Sequence, residues 1–201
     1  MSNFLDYNME TPKNKLPEKA ILFFNSLTNY LDTKLLFFGS IQRNDYFPGF
    51  SDIDVDIFTE NEKSLVLKLQ HLLNVPKEKF KKFIWKLQNG IISHGYKVMY
   101  KDEDNNFAVE FSIYNEKFKD NVLYEHKMKT VLPWYVSCLL IILKYLYYNF
   151  NLLDKKIFNY LKRKLLSGVI GLPDDKFIVL DDDPHETEKK IIKFINTGER
   201  D

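Results

Sequence analysis

Three aspartates alternate with apolar residues in the segment Asp52-Ile53-Asp54-Val55-Asp56. In an extended strand, alternate side chains point to the same side, so the three carboxylates share one face, with neighbours roughly 6 to 7 Å apart along the chain. Like charges this close repel each other, and a folded protein keeps them where the face is solvated or where cations neutralise it. Carboxylate oxygens suit Mg²⁺ or Mn²⁺. The segment alone fits both interpretations, and Asp56 in particular fits a merely solvated position.

A glycine and a serine follow a short apolar run upstream of these aspartates, in Phe38-Gly39-Ser40. At the end of a strand, such a pair presents free backbone N–H groups and a hydroxyl, which bind phosphate oxygens well. Gly-Ser pairs are common in ordinary turns, so the significance of this one lies in its position before the acidic strand. The arrangement predicts an anion site that faces a cation site.

Together these segments resemble the DNA polymerase β-like nucleotidyltransferase superfamily. Its signature begins with a hydrophobic residue, a glycine, and then either glycine or serine. A spacer of about ten residues follows, and the signature ends with Asp-hydrophobic-Asp. Phe38-Gly39-Ser40, eleven residues and Asp52-Ile53-Asp54 match it. Ser51 agrees with the common form, and Arg43 falls where many minimal members place an arginine, whereas Asn44 stands where glycine is frequent. The spacer is one residue longer than in the minimal antitoxin-type members.

The resemblance also implies a third carboxylate on a later strand, flanked by hydrophobic residues, and Val109-Glu110-Phe111 supplies one. By this resemblance, Asp52, Asp54 and Glu110 are the catalytic residues and the ligands of Mg²⁺ or Mn²⁺. The implied mechanism is two-metal transfer, with ions about 3.5 to 4 Å apart. The nucleotide-binding residues implied are Gly39, Ser40 and Arg43.

The function implied by the resemblance is transfer of a nucleoside monophosphate from a nucleoside triphosphate, with ATP as the first candidate, to a hydroxyl acceptor with release of pyrophosphate. The acceptor is left open between nucleic acid, small molecule and protein, as are the base preference and the oligomeric state. The alternative is a catalytically idle, antitoxin-like module that keeps the fold and binds a protein through the helices from Leu132 onward.

The elements that must position these residues follow from hydrophobic periodicity. A helix is predicted from Glu18 to Leu31 after Pro17, and two paired strands from Lys34 to Phe38 and from Asp52 to Phe58. Further helices are predicted at Glu62 to Leu73 and, from a fresh start at Pro76, at Lys77 to Leu87. A hairpin follows, with strands Tyr96 to Tyr100 and Phe107 to Tyr114.

The last third of the chain is predicted to be mainly helical. Its predicted elements are helices from Trp134 to Asn149 and Lys155 to Leu166, an extended piece from Phe177 to Leu180, and a last helix from Glu186 to Asn196 capped at Gly198. The predicted fold class is α+β, with a small mixed sheet, helices packed on it and a helical C-terminal region. We expect a nucleotidyltransferase catalytic domain over residues 16–120 and the helical region over 121–201.

The 201 residues carry 29 Lys and Arg against 28 Asp and Glu, a net charge of +1, so any polyanion must be recognised locally. The single cysteine, Cys138, lies in an apolar run, which predicts a buried thiol in a reducing compartment. The N-terminus lacks a secretory pattern, so a cytoplasmic protein is expected. The apolar stretch from Leu132 to Phe150 carries Lys144 and is interpreted as a buried helix, without a membrane partner.

The basic run from Lys77 to Lys82, with Lys86, predicts a solvated helix face, and contact with nucleic acid is the alternative. The four histidines are scattered without metal-ligand spacing, so neither a zinc site nor a catalytic dyad is indicated. Asp181-Asp182-Asp183 precedes Pro184 and fits a turn.

Overall fold

The computed structural model describes residues 8–170, 176–180 and 187–192. The strands are β1 (Leu36–Phe38), β2 (Ile53–Thr59), β3 (Lys81–Lys86), β4 (Ile92–Asp102), β5 (Phe107–Asn115) and β6 (Lys176–Val179). The α-helices are α1 (Glu18–Leu31), α2 (Glu62–Leu73), α3 (Lys119–Thr130), α4 (Trp134–Tyr148) and α5 (Lys155–Ile170). Short 3-10 turns span Gly39–Gln42, Lys77–Lys79 and Glu116–Phe118. The predicted α+β class with C-terminal helices is confirmed.

The six strands form one mixed sheet in the order β1-β2-β5-β4-β3-β6. The pair β2–β5 is parallel, and every other neighbouring pair is antiparallel. A parallel pair needs a crossover connection, which the chain makes through α2, β3 and β4. This crossover places Asp54 of β2 directly beside Glu110 of β5 in the register.

One face of the sheet holds the main core. Because side chains alternate along a strand, β2 turns Ile53, Val55 and Ile57 to this face, and all three are fully buried. Helices α1 and α2 pack there with their apolar sides. The alternate positions of β2 and β5 are therefore left to the opposite face, where the acidic side chains lie.

The opposite face is covered at one end by α3, which packs Val122 against Phe58 and Tyr114 of the sheet in a second apolar cluster. At the other end of that face, Asp54 and Glu110 are half-buried. The acidic end of the sheet is therefore less deeply buried than the aromatic end.

The predicted helix from Lys77 to Leu87 is wrong: after the 3-10 turn, residues Lys81–Lys86 form strand β3. Its apolar residues Phe80, Phe83, Ile84 and Leu87 have helical spacing, which misled the periodicity argument. The strand is fixed by tertiary pairing, since β3 lies between β4 and β6 and buries Phe83 and Trp85 on one side. The basic run therefore lies on a turn and a strand and not on a helix face.

Helix α3 was not predicted because its buried side is largely polar: Glu125, His126 and Thr130 are buried beside Val122. The extended piece near residue 177 is confirmed as β6. Residues 187–192 are helical, within the predicted last helix, and the rest of that helix with Gly198 lies outside the described residues. Asp181-Asp182-Asp183 also lies outside them.

The prediction of a buried helix is correct for one side of α4, which holds its buried residues Val136, Leu140, Leu143 and Lys144. The other side of the helix is largely exposed. Cys138 is exposed, and the predicted buried thiol is wrong, because residue 138 falls on the outward side of α4. No single described helix is long and apolar enough to cross a membrane. The segments Glu116–Thr130 and Trp134–Tyr148 together reach the necessary length and apolar composition, but they are bent by 82° relative to each other. The domain boundary between residues 120 and 121 stays a prediction. Strand β6, which lies in the predicted C-terminal region, pairs with β3 of the predicted catalytic domain.

A substitution at Gly95 of β4 tests how closely β4 and β5 pack at this residue. A Cβ added at this residue would lie 2.0 Å from the carbonyl oxygen of Ile113 and 2.9 Å from the ring of Phe83. We expect Gly95→Ala to lower the free energy of unfolding by about 1–3 kcal/mol, because the backbone must shift to admit the methyl group. Urea unfolding measures this change.

Gly168→Ala is the matched control, since nothing lies within 4 Å of the added Cβ in α5. Alanine favours a helix over glycine by up to about 1 kcal/mol, so this variant is expected to gain stability. Equal effects of the two substitutions would contradict the packing described for Gly95.

Candidate active site

The three alternating aspartates run from the surface into the interior. Asp52 is exposed just before β2, Asp54 is half-buried, and Asp56 is 0% exposed. Asp54 and Asp56 lie on the face opposite the main core, and the burial increases towards the end that α3 covers. The three carboxylates therefore have different environments, and the interpretation of Asp56 as a merely solvated residue is wrong.

Glu110 lies next to Asp54 on the neighbouring strand and at the same level of the sheet. Burial and the Glu110 carboxylate raise the pKa of Asp54 to about 7, and the same two causes raise the pKa of Asp52. The structure thus places Glu110 beside Asp54, with Asp52 within electrostatic reach of Glu110.

The Gly39-Ser40 turn directly adjoins Asp54. Phe38 pairs with Asp54 in the β1–β2 register, and Gly39 follows with a φ of +69°. A Cβ on Gly39 would lie 2.0 Å from Oδ2 of Asp54, so both the backbone conformation and the available space require glycine. The turn and the carboxylates therefore lie on the same side of the sheet.

The other two predicted nucleotide-binding residues are less accessible. Ser40 is 7% exposed within the 3-10 turn. The guanidinium group of Arg43 donates through Nε and Nη2 to Asp45, at 2.8 and 3.2 Å, and the residue is 7% exposed. Phosphate binding by Arg43 stays a prediction, and in this structure its guanidinium holds Asp45.

Lys144 of α4 holds the loop between the turn and the aspartates. It is 2% exposed, and its Nζ lies 3.0 Å from Oδ2 of Asp45 and 3.3 Å from Oγ of Ser51, and also donates to the Asp45 carbonyl oxygen. Burial raises the pKa of Asp45, but Arg43 and Lys144 outweigh it and hold the pKa at about 2. Burial lowers the pKa of Lys144 to about 8. This network fixes the residue that immediately precedes Asp52.

Lys97 of β4 neutralises Glu110, with Nζ 2.7 Å from Oε1. Lys97 belongs to none of the sequence motifs described above. The hairpin register could have found it, because pairing Asp102 with Phe107 also pairs Lys97 with Ser112, on the same face as Glu110.

Three further lysines act on the exposed aspartate. Lys162 and Lys155 of α5 and Lys101 at the end of β4 each lower the pKa of Asp52, against the larger effect of burial. They come from separate parts of the chain, so no local sequence pattern signals them. The C-terminal helices therefore contribute positive charge to a site whose carboxylates lie on the sheet.

His126 of α3 was also missed. Its Nε2 lies 2.9 Å from Oδ2 of Asp56, an ion-pair distance, although neither atom makes a well-aligned hydrogen bond. The imidazole ring stacks on Phe38 with 3.9 Å between centroids. His126 thereby connects the acidic strand to the residue that precedes Gly39.

Divalent cations were predicted at Asp52, Asp54 and Glu110. The donors are carboxylates, and the raised pKa of Asp54 reflects charge that a cation would relieve, so the chemistry fits. Among the described residues, however, no three acidic, histidine or cysteine side chains converge closely enough to hold an ion. The ammonium group of Lys97 lies 2.7 Å from Oε1 of Glu110, so this oxygen would bind an ion only after Lys97 has moved.

Two clefts, of about 770 and 380 Å³, lie beside Lys34 and the segment around Glu10, away from the carboxylates. Neither is lined by a predicted site residue.

The buried ammonium group of Lys144 can be tested by removing its charge. We expect Lys144→Met to lower the free energy of unfolding by about 3 kcal/mol, because it leaves Asp45 buried with one cation fewer. Thermal and urea unfolding measure the change. Lys156→Met, at an exposed lysine of α5, is the control and is expected to be nearly neutral. A Lys144 variant as stable as this control would contradict the network.

The raised pKa of Asp54 predicts a pH dependence. Between pH 3.8 and about 7 the folded protein binds more protons at Asp54 than the unfolded chain, so its stability falls as pH rises through this window. Asp54→Asn is therefore expected to be more stable than the unmodified protein at pH 8, by roughly 1 kcal/mol after discounting for partial exposure. The difference should vanish below about pH 4. A variant that is less stable at pH 8 without metal would contradict this electrostatic description.

Comparison with solved structures finds similarity to the Cid1 poly(U) polymerase. The MgGTP-bound structure shares 15% sequence identity at a TM-score of 0.36 and covers 66% of this chain and 44% of its own. The structure described for its RNA terminal uridylyl transferase activity shares 13% identity at a TM-score of 0.33 and covers 66% and 41%. This chain thus spans less than half the length of those chains.

A comparison with curated proteins gives no significant match. The family model described as "Nucleotidyltransferase domain" matches residues 18–159, which include β1, β2 and β5 with all the predicted site residues. The match covers well over half of the chain, and the chain therefore belongs to the nucleotidyltransferase domain family.

Proposed function

We propose that this domain transfers a nucleoside monophosphate from a nucleoside triphosphate to a hydroxyl acceptor and releases pyrophosphate. One observation carries the proposal: Asp54 is bounded by Glu110 in the adjacent strand and by Gly39 in the turn. Acidic residues and a glycine turn on one side of a sheet provide a cation site beside an anion site. Membership of the family supports the same reaction.

Each residue then has a defined task. Asp52, Asp54 and Glu110 would hold Mg²⁺ or Mn²⁺, which when bound would neutralise phosphate charge and lower the pKa of the attacking hydroxyl. Gly39 lets the backbone of the turn contact Asp54, so a phosphate bound at the turn would lie next to the carboxylates. An Oε atom of Glu110 would accept the proton of the attacking hydroxyl once Lys97 has moved away.

We propose ATP as the nucleoside triphosphate donor, and GTP, CTP and UTP are the alternatives to be tested beside it. For the acceptor we propose a nucleic-acid strand, because of what surrounds Asp52. Lys101, Lys155 and Lys162 place positive charge there. Phe50 is 57% exposed, and its ring centroid lies 5.2 Å from that of Tyr148, so its ring offers a surface on which a base could stack. Exposed rings next to lysines are the usual means of holding a single strand.

The alternative is an idle module that binds a protein. The observation in its favour is the 2.7 Å ion pair between Lys97 and Glu110, which neutralises a carboxylate needed for catalysis. Thermal stabilisation separates the two proposals. An enzyme should be stabilised by ATP with Mg²⁺, whereas an idle module should show no shift with any triphosphate.

Asp54→Asn tests the assignment of activity. We expect it to reduce transfer of label from the triphosphate by at least about 100-fold, because it removes a charge at the reacting phosphate. Labelled triphosphates are incubated with RNA, DNA, protein and small-molecule acceptors, and products are separated on gels. Asp104→Asn, in the exposed β4–β5 loop, is the control and should keep full activity.

Circular dichroism of both variants should match that of the unmodified protein. Activity retained by a folded Asp54→Asn variant would refute the catalytic assignment. Labelling of protein in place of nucleic acid would overturn the proposed acceptor while leaving the transfer reaction standing.

A further inference from the structure

The outward side of α4 is a largely exposed apolar surface, at one end of which Tyr145 contacts the rings of Phe47 and Phe150. We call it the α4 stripe, and it comprises Trp134, Tyr135, Cys138, Leu139, Ile142 and Tyr145. Trp134 is 78% exposed, Ile142 is 55% exposed and Tyr145 is 48% exposed. Single exposed apolar residues are common on proteins, but a contiguous apolar patch such as this one marks an interaction site.

The charge pattern of α4 suits contact with an identical surface. Its one charged residue is Lys144, which is 2% exposed and points inward to Asp45. A two-fold interface brings the same patch of both subunits together, and two copies of the α4 stripe would meet without opposing like charges. A membrane-surface helix normally carries lysines and arginines along its polar side, and α4 does not.

The spacing and area also fit a helix pair. Trp134, Cys138, Ile142 and Tyr145 recur at intervals of three and four residues, which is the seam that packs along a second helix. The exposed fractions correspond to an area on the order of 600 Å² per subunit, or about 1,200 Å² in a pair, within the range of specific interfaces.

We propose that the α4 stripe binds a second copy of this chain, with the two α4 helices antiparallel around a two-fold axis near Cys138. This residue lies at the middle of the stripe, four residues from both Trp134 and Ile142. The proposal is independent of the proposed reaction, because the stripe contains none of the predicted site residues. The opposite side of α4 holds the Asp45 loop, so the interface would brace the helix that carries Lys144.

Sedimentation equilibrium of the full chain from 1 to 100 µM tests the association. We expect the mass to rise from 24.0 kDa to twice that value. Ile142→Lys should weaken association by at least 100-fold, because it buries two ammonium groups in the interface. Leu67→Lys, at a 63% exposed leucine of α2, is the matched control and should associate normally. Circular dichroism verifies that both variants fold.

Cross-linking with a short bismaleimide tests the geometry. The native Cys138 should give a covalent dimer in high yield, and Cys138→Ser should abolish the cross-link while leaving the sedimentation mass unchanged. A dimer that cannot be cross-linked through Cys138 would overturn the two-fold α4 contact.

A chain that stays at 24.0 kDa up to 100 µM overturns the proposal altogether. Flotation with phosphatidylcholine vesicles is measured in parallel. Binding of a monomer to vesicles through Ile142 would assign the α4 stripe to a membrane surface and would likewise reject the dimer.

Discussion

The site depends on the contact between the Asp54 carboxylate and the Cα of Gly39. No side chain can stand between them, since an added Cβ would lie 2.0 Å from Oδ2 of Asp54. The parallel register of β2 and β5 sets Glu110 on the other side of the same carboxylate. Two strands and one turn therefore fix the relative positions of the acidic groups and the backbone that would meet a phosphate.

The rest of the chain holds this arrangement against the repulsion it contains. His126 anchors the buried end of the acidic strand through Asp56 and contacts Phe38 before the turn. Lys144 anchors the intervening loop through Asp45. Lys97 balances the charge of Glu110 at the less buried end. Partners from three different elements, two lysines and a histidine, thus stand against carboxylates that would otherwise be costly to keep together.

The sequence predicts the parts of this site that lie close together in the chain. Alternation over residues 52–58 and 107–114 gives the acidic strands and their buried sides, and Gly39-Ser40 gives the turn. Strand β3 was missed because its apolar spacing also fits a helix and only pairing with β4 and β6 decides between them. Helix α3 and the roles of His126 and Lys144 were missed because their contacts join distant segments, which periodicity cannot report.

The central claim is that Asp52, Asp54 and Glu110 form one cation site for a triphosphate beside Gly39. The most direct measurement is anomalous diffraction from crystals grown with Mn²⁺ and a non-hydrolysable ATP analogue. The account predicts manganese peaks bounded by these three carboxylates, with the Lys97–Glu110 ion pair opened and phosphate oxygens at the turn. Manganese elsewhere, or a nucleotide bound while that ion pair remains closed, would contradict it.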